Sequence, residues 1–132
     1  MKTMSSNKFS SSQNSHSKGV LAEDIACNYL SSLGYSIAAK RYKTKHGEID
    51  IIAIDRNTLV FAEVKCRKNN ETHEVLSKKQ MQRIANASMQ YLIDNSINLE
   101  HDCRFDFIFI NLADSLSKQS PKIEHITNAW WE

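Results

Sequence analysis

The chain has 132 residues, with 17 Lys and Arg against 15 Asp and Glu and 41% hydrophobic residues, which suits one small domain with a single core. No run is long and apolar enough to span a membrane, and the composition gives neither a disulfide framework nor a zinc site. Cys27, Cys66 and Cys103 are odd in number and far apart, and His16, His46, His73, His101 and His125 lack ligand spacing, so a reducing, cytoplasmic setting is the expectation.

Residues 5 to 17 hold seven Ser and almost nothing to bury, so residues 1–17 read as a disordered Ser/Asn-rich tail ahead of a domain at 18–132. The tail has neither the apolar stretch of a secretory signal nor the Arg-rich amphipathic character of a transit peptide. The formal charge of +2 comes from Lys2 and Lys8 in that tail, and 15 basic and 15 acidic residues remain beyond it. Nucleic-acid binding therefore cannot be argued from pI; it can be argued only from how the charge is distributed.

From Lys18 to Leu33, apolar residues at Leu21, Ile25, Ala26, Tyr29, Leu30 and Leu33 recur at helical spacing, and Gly34 supplies a stop. Glu23 lies off that stripe, an ordinary surface residue for a helix start, where the dipole favours an acid. Tyr35 to Tyr42 reads as a first strand, with a bend at His46-Gly47. Two apolar runs come next, Gly47 to Ile54 and Leu59 to Lys65, around the polar turn Asp55 to Thr58, which is the pattern of an antiparallel hairpin. Residues 68 to 76 are polar and irregular. Ser77 to Asp94 is helical again, with Ser77 as N-cap, Met81, Ile84, Ala85, Ser88, Tyr91 and Leu92 inward, and Lys79, Arg83, Asn86 and Gln90 outward. Arg104 to Ile110 is apolar on both faces, so it reads as an interior strand in which Asp106 is structural. Lys122 to Ile126 completes the set as an edge strand before Trp130-Trp131. Strands separated by a helix imply a mixed central sheet flanked by helices, an α/β fold.

The hairpin is where charge is misplaced. With an even-length turn, paired positions place Asp50 directly opposite Glu63, where side chains lie about 5 Å apart and like charges repel. Alternation puts Ile49, Ile51, Ala53, Val60, Ala62, Val64 and Cys66 on one apolar face, and Glu48, Asp50, Ile52 and Ile54 beside Phe61, Glu63, Lys65 and Arg67 on the other, which is apolar near the turn and charged at the far end. Two carboxylates so close, with an ammonium two residues along, make a seat for Mg²⁺, which takes one or two carboxylates, several waters and substrate phosphate oxygens. Lys65 could then orient or deprotonate a water, or stabilise charge at the transition state. The plainer reading is a half-exposed strand with a cross-strand Glu48–Lys65 ion pair.

An Asp followed on the next strand by Glu-x-Lys resembles the PD-(D/E)XK signature of restriction-endonuclease-like nucleases. The chain is more closely similar to the YraN family placed in that superfamily. The matching residues are Gly19, Ala22-Glu23, Ala26, Tyr29-Leu30, Gly34-Tyr35, Gly47 to Asp50, Leu59 to Phe61, Glu63 to Lys65, Arg67, Lys79, Arg104 to Asp106 and His125-Ile126. The short signature alone is weak, whereas the ordered set is specific. The family usually has a second Gly where Ala22 stands, and Asn and Arg where Arg41 and Lys43 stand here; none of these positions is Asp50, Glu63 or Lys65.

The resemblance implies an αβββαβ core and a Mg²⁺-dependent endonuclease, with Mn²⁺ as a substitute. Asp50 and Glu63 would hold the metal, with Lys65 catalytic and Glu23 a further metal or water ligand. DNA is the expected partner, through Arg41, Lys43, Lys45, Arg67, Lys79 and Arg83. Analogy with junction-resolving nucleases adds branched DNA or single-strand/duplex junctions as substrate and a homodimer as assembly. The alternative is a non-catalytic nucleic-acid-binding or protein-interaction module on the same fold.

Overall fold

The computed structural model describes the backbone of residues 3–67, 77–112 and 121–129, with side chains from residue 17 onward, Arg67 excepted. The polar segment at 68–76, the Trp130-Trp131 pair and the Arg67 side chain lie outside the described residues. Among the described residues, two helices and five strands succeed one another as α1 (Thr3–Ser32), β1 (Ser36–Thr44), β2 (Gly47–Asp55), β3 (Thr58–Arg67), α2 (Lys78–Asp94), β4 (Cys103–Asn111) and β5 (Lys122–Ile126). The backbone of α1 thus begins at Thr3, within the segment that the sequence reads as a tail.

The five strands form one mixed sheet in the order β1-β2-β3-β4-β5. All neighbours are antiparallel except β3 and β4, which pair in parallel through the α2 crossover. The first six elements give the αβββαβ order of a restriction-endonuclease-like core, with β4 interior and β5 at the edge.

Both faces of the sheet are covered because its central strands are apolar on both. On one face Ala22, Ala26, Cys27 and Leu30 of α1 pack with Ile51, Ala53, Val60, Ala62, Ile108 and Ile110. On the other, Ile84, Ala87, Tyr91 and Leu92 of α2 pack with Ile49, Ile52, Leu59, Phe61 and three Phe of β4.

Two expectations are corrected here. Leu21 and Leu33, placed on the inward stripe of the first helix, are 48% and 52% exposed. The stripe is centred instead on Ala22, Ala26 and Leu30, where two small side chains let the helix approach the sheet closely. Ile49, grouped by alternation with Ile51, packs on the α2 side while Ile51 packs on the α1 side. Strict period-two alternation fails between them, at the level where the β1–β2 ladder runs from Lys40↔Ile51 to Tyr42↔Ile49 without an Arg41–Asp50 pair and Arg41 has a positive φ of 52°; the shift in register itself lies between Ile37 and Ala39.

Local chemistry sets the element ends. Gly34, with φ 94°, closes α1, and Tyr35 N–H and Gly34 N–H donate to the carbonyls of Leu30 and Ser31, the Schellman arrangement. At the start of α2 the Gln80 N–H donates to Ser77 Oγ and the Ser77 N–H donates to Gln80 Oε1, both at 3.1 Å. This capping box satisfies two amides that the helix leaves unpaired. Ser77→Ala is expected to cost about 1 kcal/mol, read as a lower denaturant midpoint with unchanged slope in equilibrium unfolding.

A buried polar network ties β4 and β5 to α1. Asp106, fully buried, accepts from Arg104 Nε and Nη2 at 2.9 Å, His125 Nε2 at 2.7 Å and the Asn128 N–H at 3.0 Å. Arg104 also reaches Tyr35 Oη and Asp55 Oδ2, and His125 Nδ1 lies 3.1 Å from the Tyr29 hydroxyl. Burial pushes the Asp106 carboxyl up, but the bonds from His125, Arg104 and Asn128 outweigh it and hold the group below the usual carboxylate range. Its structural reading from sequence is the one the contacts support. Among the described residues no helix is long and apolar enough to cross a membrane.

Candidate active site

The hairpin positions the site. β2 and β3 join through Arg56-Asn57, with Asp55 opposite Thr58, and the register runs unbroken to Ile51↔Ala62. An even-length turn is therefore present, and one further step would oppose Asp50 and Glu63. The ladder stops one step short because Asp50 Oδ2 accepts the Val64 N–H at 2.8 Å, a side-chain oxygen where backbone pairing would continue. The two strands part at the two carboxyls.

The side chains of Asp50 and Glu63 are close enough to act on each other's ionisation. Burial is the main reason that both acids hold protons more tightly than usual. It raises Asp50 to about 6, against the Val64 N–H, which lowers it, with the negative charges of Glu23 and Glu48 adding to the rise. It raises Glu63 to about 8, helped by the charge of Asp50 and opposed by the positive charge of Lys65. Two acids sharing a desolvated place cannot both ionise at little cost.

The remaining members come from α1 and β1. Glu23 stands well inside α1, so a helix-terminal role does not describe it. Its side chain is 14% exposed and accepts from Arg41 Nε at 2.6 Å. Bonding to Glu23 holds the Arg41 guanidinium above its ordinary value, and the charges of Glu48 and Asp50 act in the same direction. Four of the sequence-derived residues, Glu23, Asp50, Glu63 and Lys65, thus share one electrostatic neighbourhood. Arg41, expected as a nucleic-acid contact, stands inside it as the partner of Glu23. This position has no signal in the sequence, because its cause is a left-handed residue in a strand.

The other cationic candidates lie around the rim. Lys43 and Lys45 are exposed on β1 and the β1–β2 turn, and Lys79 and Arg83 are exposed on the first turns of α2. Gly47 brings the two groups together: a Cβ built on it would sit 3.8 Å from the Arg83 Cβ. The start of α2 therefore flanks the Gly47 end of β2, three residues from Asp50. Tyr42 ties β1 to the opposite end of α2, donating its hydroxyl to Asp94 Oδ2 at 2.5 Å and meeting Tyr91 edge-on.

Among the described residues no three His, Cys, Asp or Glu side chains converge as a metal cage. The donor set is the carboxyl pair of Asp50 and Glu63, with Glu23 engaged by Arg41. Two adjacent oxygen ligands suit a hard divalent ion that keeps several waters, better than an ion requiring a closed nitrogen and sulfur shell.

The comparisons with known proteins agree with the family resemblance. The model of the uncharacterised protein family UPF0102 matches residues 22–110. A UPF0102 protein of Chlorobium limicola is 42% identical over 124 residues, covering 89% of this chain and 94% of that relative. One from Alkaliphilus oremlandii is 38% identical over 116 residues, covering 85% of this chain and 96% of that relative, and one from Bradyrhizobium diazoefficiens is 42% identical over 93 residues, covering 70% of each chain. With the matched region running from α1 through nearly all of β4 and so containing every member of the site, the chain belongs to the UPF0102 family, the YraN family of its sequence resemblance.

Proposed function

We propose that the chain is a divalent-metal-dependent phosphodiesterase that cleaves DNA. One observation carries this reading: where the β2–β3 ladder ends, Asp50, fixed by the Val64 N–H, and the neighbouring Glu63 act on each other and are both raised above the usual carboxylate range by burial, with the charge of Lys65 acting on Glu63. Such a pair is costly to keep as two anions and becomes favourable when a hard cation such as Mg²⁺ or Mn²⁺ displaces the proton. When bound, the ion supplies Lewis acidity toward a phosphoryl oxygen and lowers the pKa of a bound water.

The chain's own residues have distinct parts. Asp50 is fixed by the Val64 N–H, which leaves its other oxygen for a ligand. Glu63 supplies the facing oxygens. Lys65 supplies a positive charge beside Glu63, placed to orient a water or meet charge building on phosphate. Lys43, Lys45, Lys79 and Arg83 surround the Gly47 end of the hairpin and would meet backbone phosphates, a contribution that weakens with salt. Branched DNA is the substrate class that the resemblance favours, with single-strand/duplex junctions as its simplest form.

A cleavage panel tests the proposal. Wild type and Asp50→Asn are incubated with Mg²⁺ or Mn²⁺ and single-stranded, duplex, flapped and four-way DNA. The amide oxygen of the substituted side chain can still accept the Val64 N–H, so the fold is retained while the charge is removed. Loss of at least about 10²-fold in rate is expected, the scale of removing one preorganised electrostatic group. Cleavage that survives in Asp50→Asn assigns it to another source, and no cleavage by wild type on any substrate favours the binding-module alternative.

A further inference from the structure

We infer that Arg41 is a built-in counter-ion of the carboxylate site, which competes with the divalent cation for Glu23 and so sets how tightly the site takes metal. The inference rests on the proposed function and adds a positioning residue to it.

Three independent features converge on Arg41. Its φ of 52° lies in the left-handed region, which long side chains rarely occupy. The strain falls where the β1–β2 ladder skips a pair, between Lys40↔Ile51 and Tyr42↔Ile49. The same turn of the backbone lets Tyr42 pack on the α2-side core while the Arg41 side chain reaches α1. Its guanidinium goes to Glu23, at 2.6 Å, in a pair only 34% and 14% exposed, across from a helix 18 residues earlier in the chain. The skipped partner in the register is Asp50 itself.

The consequence is competitive. Glu23, Glu48 and Asp50 all act on the Arg41 guanidinium, so a positive charge already occupies the field that a divalent ion would enter. An arriving ion is repelled by Arg41 and gains Glu23 as a ligand, directly or through water, only if the 2.6 Å pair opens. Neutralising Arg41 removes the repulsion and frees Glu23 together. A purely structural brace predicts the opposite sign, because losing it loosens Glu23 and the site with it.

Mn²⁺ titration of the full chain, followed by electron paramagnetic resonance of the free ion, reads this without turnover. Arg41→Asn is the chosen neutral variant because Asn tolerates a left-handed φ, and Arg41→Gln is the second in case the first does not fold, with folding checked by circular dichroism. Arg41→Asn is expected to lower the Mn²⁺ Kd about three- to tenfold, the scale of one partly screened charge interaction. Arg41→Lys, which keeps the charge, is expected to stay near wild type, and the gain is expected to vanish when Glu23→Gln is added. Unchanged or weaker Mn²⁺ binding in both neutral variants, with binding abolished by Asp50→Asn, overturns the role of Arg41 and leaves the site intact. Mn²⁺ binding that Asp50→Asn does not alter overturns the metal-site reading and the inference with it.

Discussion

Asp106→Ala is expected to destabilise the protein by about 3–5 kcal/mol, the cost of removing one member of a buried ionic network and leaving the others unpaired. The substitution strands Arg104, whose Nε and Nη2 both bond Asp106, and removes the acceptor of His125 Nε2 and of the Asn128 N–H. Arg104 keeps Tyr35 and Asp55, and His125 keeps Tyr29. Domains of this size are stable by about 5–15 kcal/mol in total, so the variant is expected to be marginal at 37 °C. Urea unfolding of wild type, Asp106→Ala and Asp106→Asn reads the effect, with the Asn variant intermediate because its carbonyl can still accept. A loss below about 1 kcal/mol for the Ala variant would show that water or rearrangement satisfies the network and that it does not anchor the fold. The site depends on this anchor through the parallel register, in which Ala62 pairs with Asp106 and Glu63 with Phe107. A loosened β4 withdraws the strand that backs Glu63.

The two regular features of the sequence carried most of the fold. Period-two apolar runs around a polar turn gave the hairpin and its register, because a one-residue slip would turn every core side chain to the opposite face. Ser77 and Gly34 marked helix ends through the backbone amides and carbonyls they satisfy or terminate. Asp106 was legible because it is the one acid in the otherwise apolar run from Phe105 to Ile110. What stayed hidden depends on single irregular residues or on distant partners. Ile49 turns over beside Arg41, whose positive φ nothing in an Arg announces. Leu21 looked more hydrophobic than Ala22, yet close helix–sheet packing selects the smaller side chain. The pairing of Tyr29 with His125 spans 96 positions, and that of Glu23 with Arg41 joins a helix to an edge strand. The carboxyl pair itself was found as repulsion; the burial of both acids and the Val64 N–H on Asp50 needed coordinates.

The raised carboxyls of Asp50 and Glu63 make stability depend on pH in a direction opposite to that of most carboxylates, and Glu63→Gln is expected to flatten that dependence. In the unfolded chain both acids ionise near about pH 4. In the folded protein ionisation is delayed to about 6 for Asp50 and about 8 for Glu63. Between these limits the folded state holds more protons than the unfolded one, so the pair's contribution is fully present below about pH 4 and is lost as pH rises toward 8. Asp106, held low, acts in the other direction and only under acid conditions, because its contribution is present above the unfolded pKa and is lost as pH falls further. The melting temperature of the metal-free protein is therefore expected to decline from pH 5 to pH 8. In Glu63→Gln the amide can still donate to Asp50 while no second charge forms. That variant is expected to flatten the decline and to exceed wild type at pH 8 by about 1–3 kcal/mol, a few degrees or more in melting temperature. Saturating Mg²⁺ is expected to raise the wild-type melting temperature at pH 8, by about 1.4 kcal/mol of stability for each factor of ten in concentration above Kd, and to have little effect on Glu63→Gln. The measurement is differential scanning calorimetry across pH 5 to 8, with and without Mg²⁺. A Glu63→Gln protein less stable than wild type at pH 8 without metal would mean that the carboxyl pair is a net stabilising contact, and the case for a cation-seeking site would fall with it.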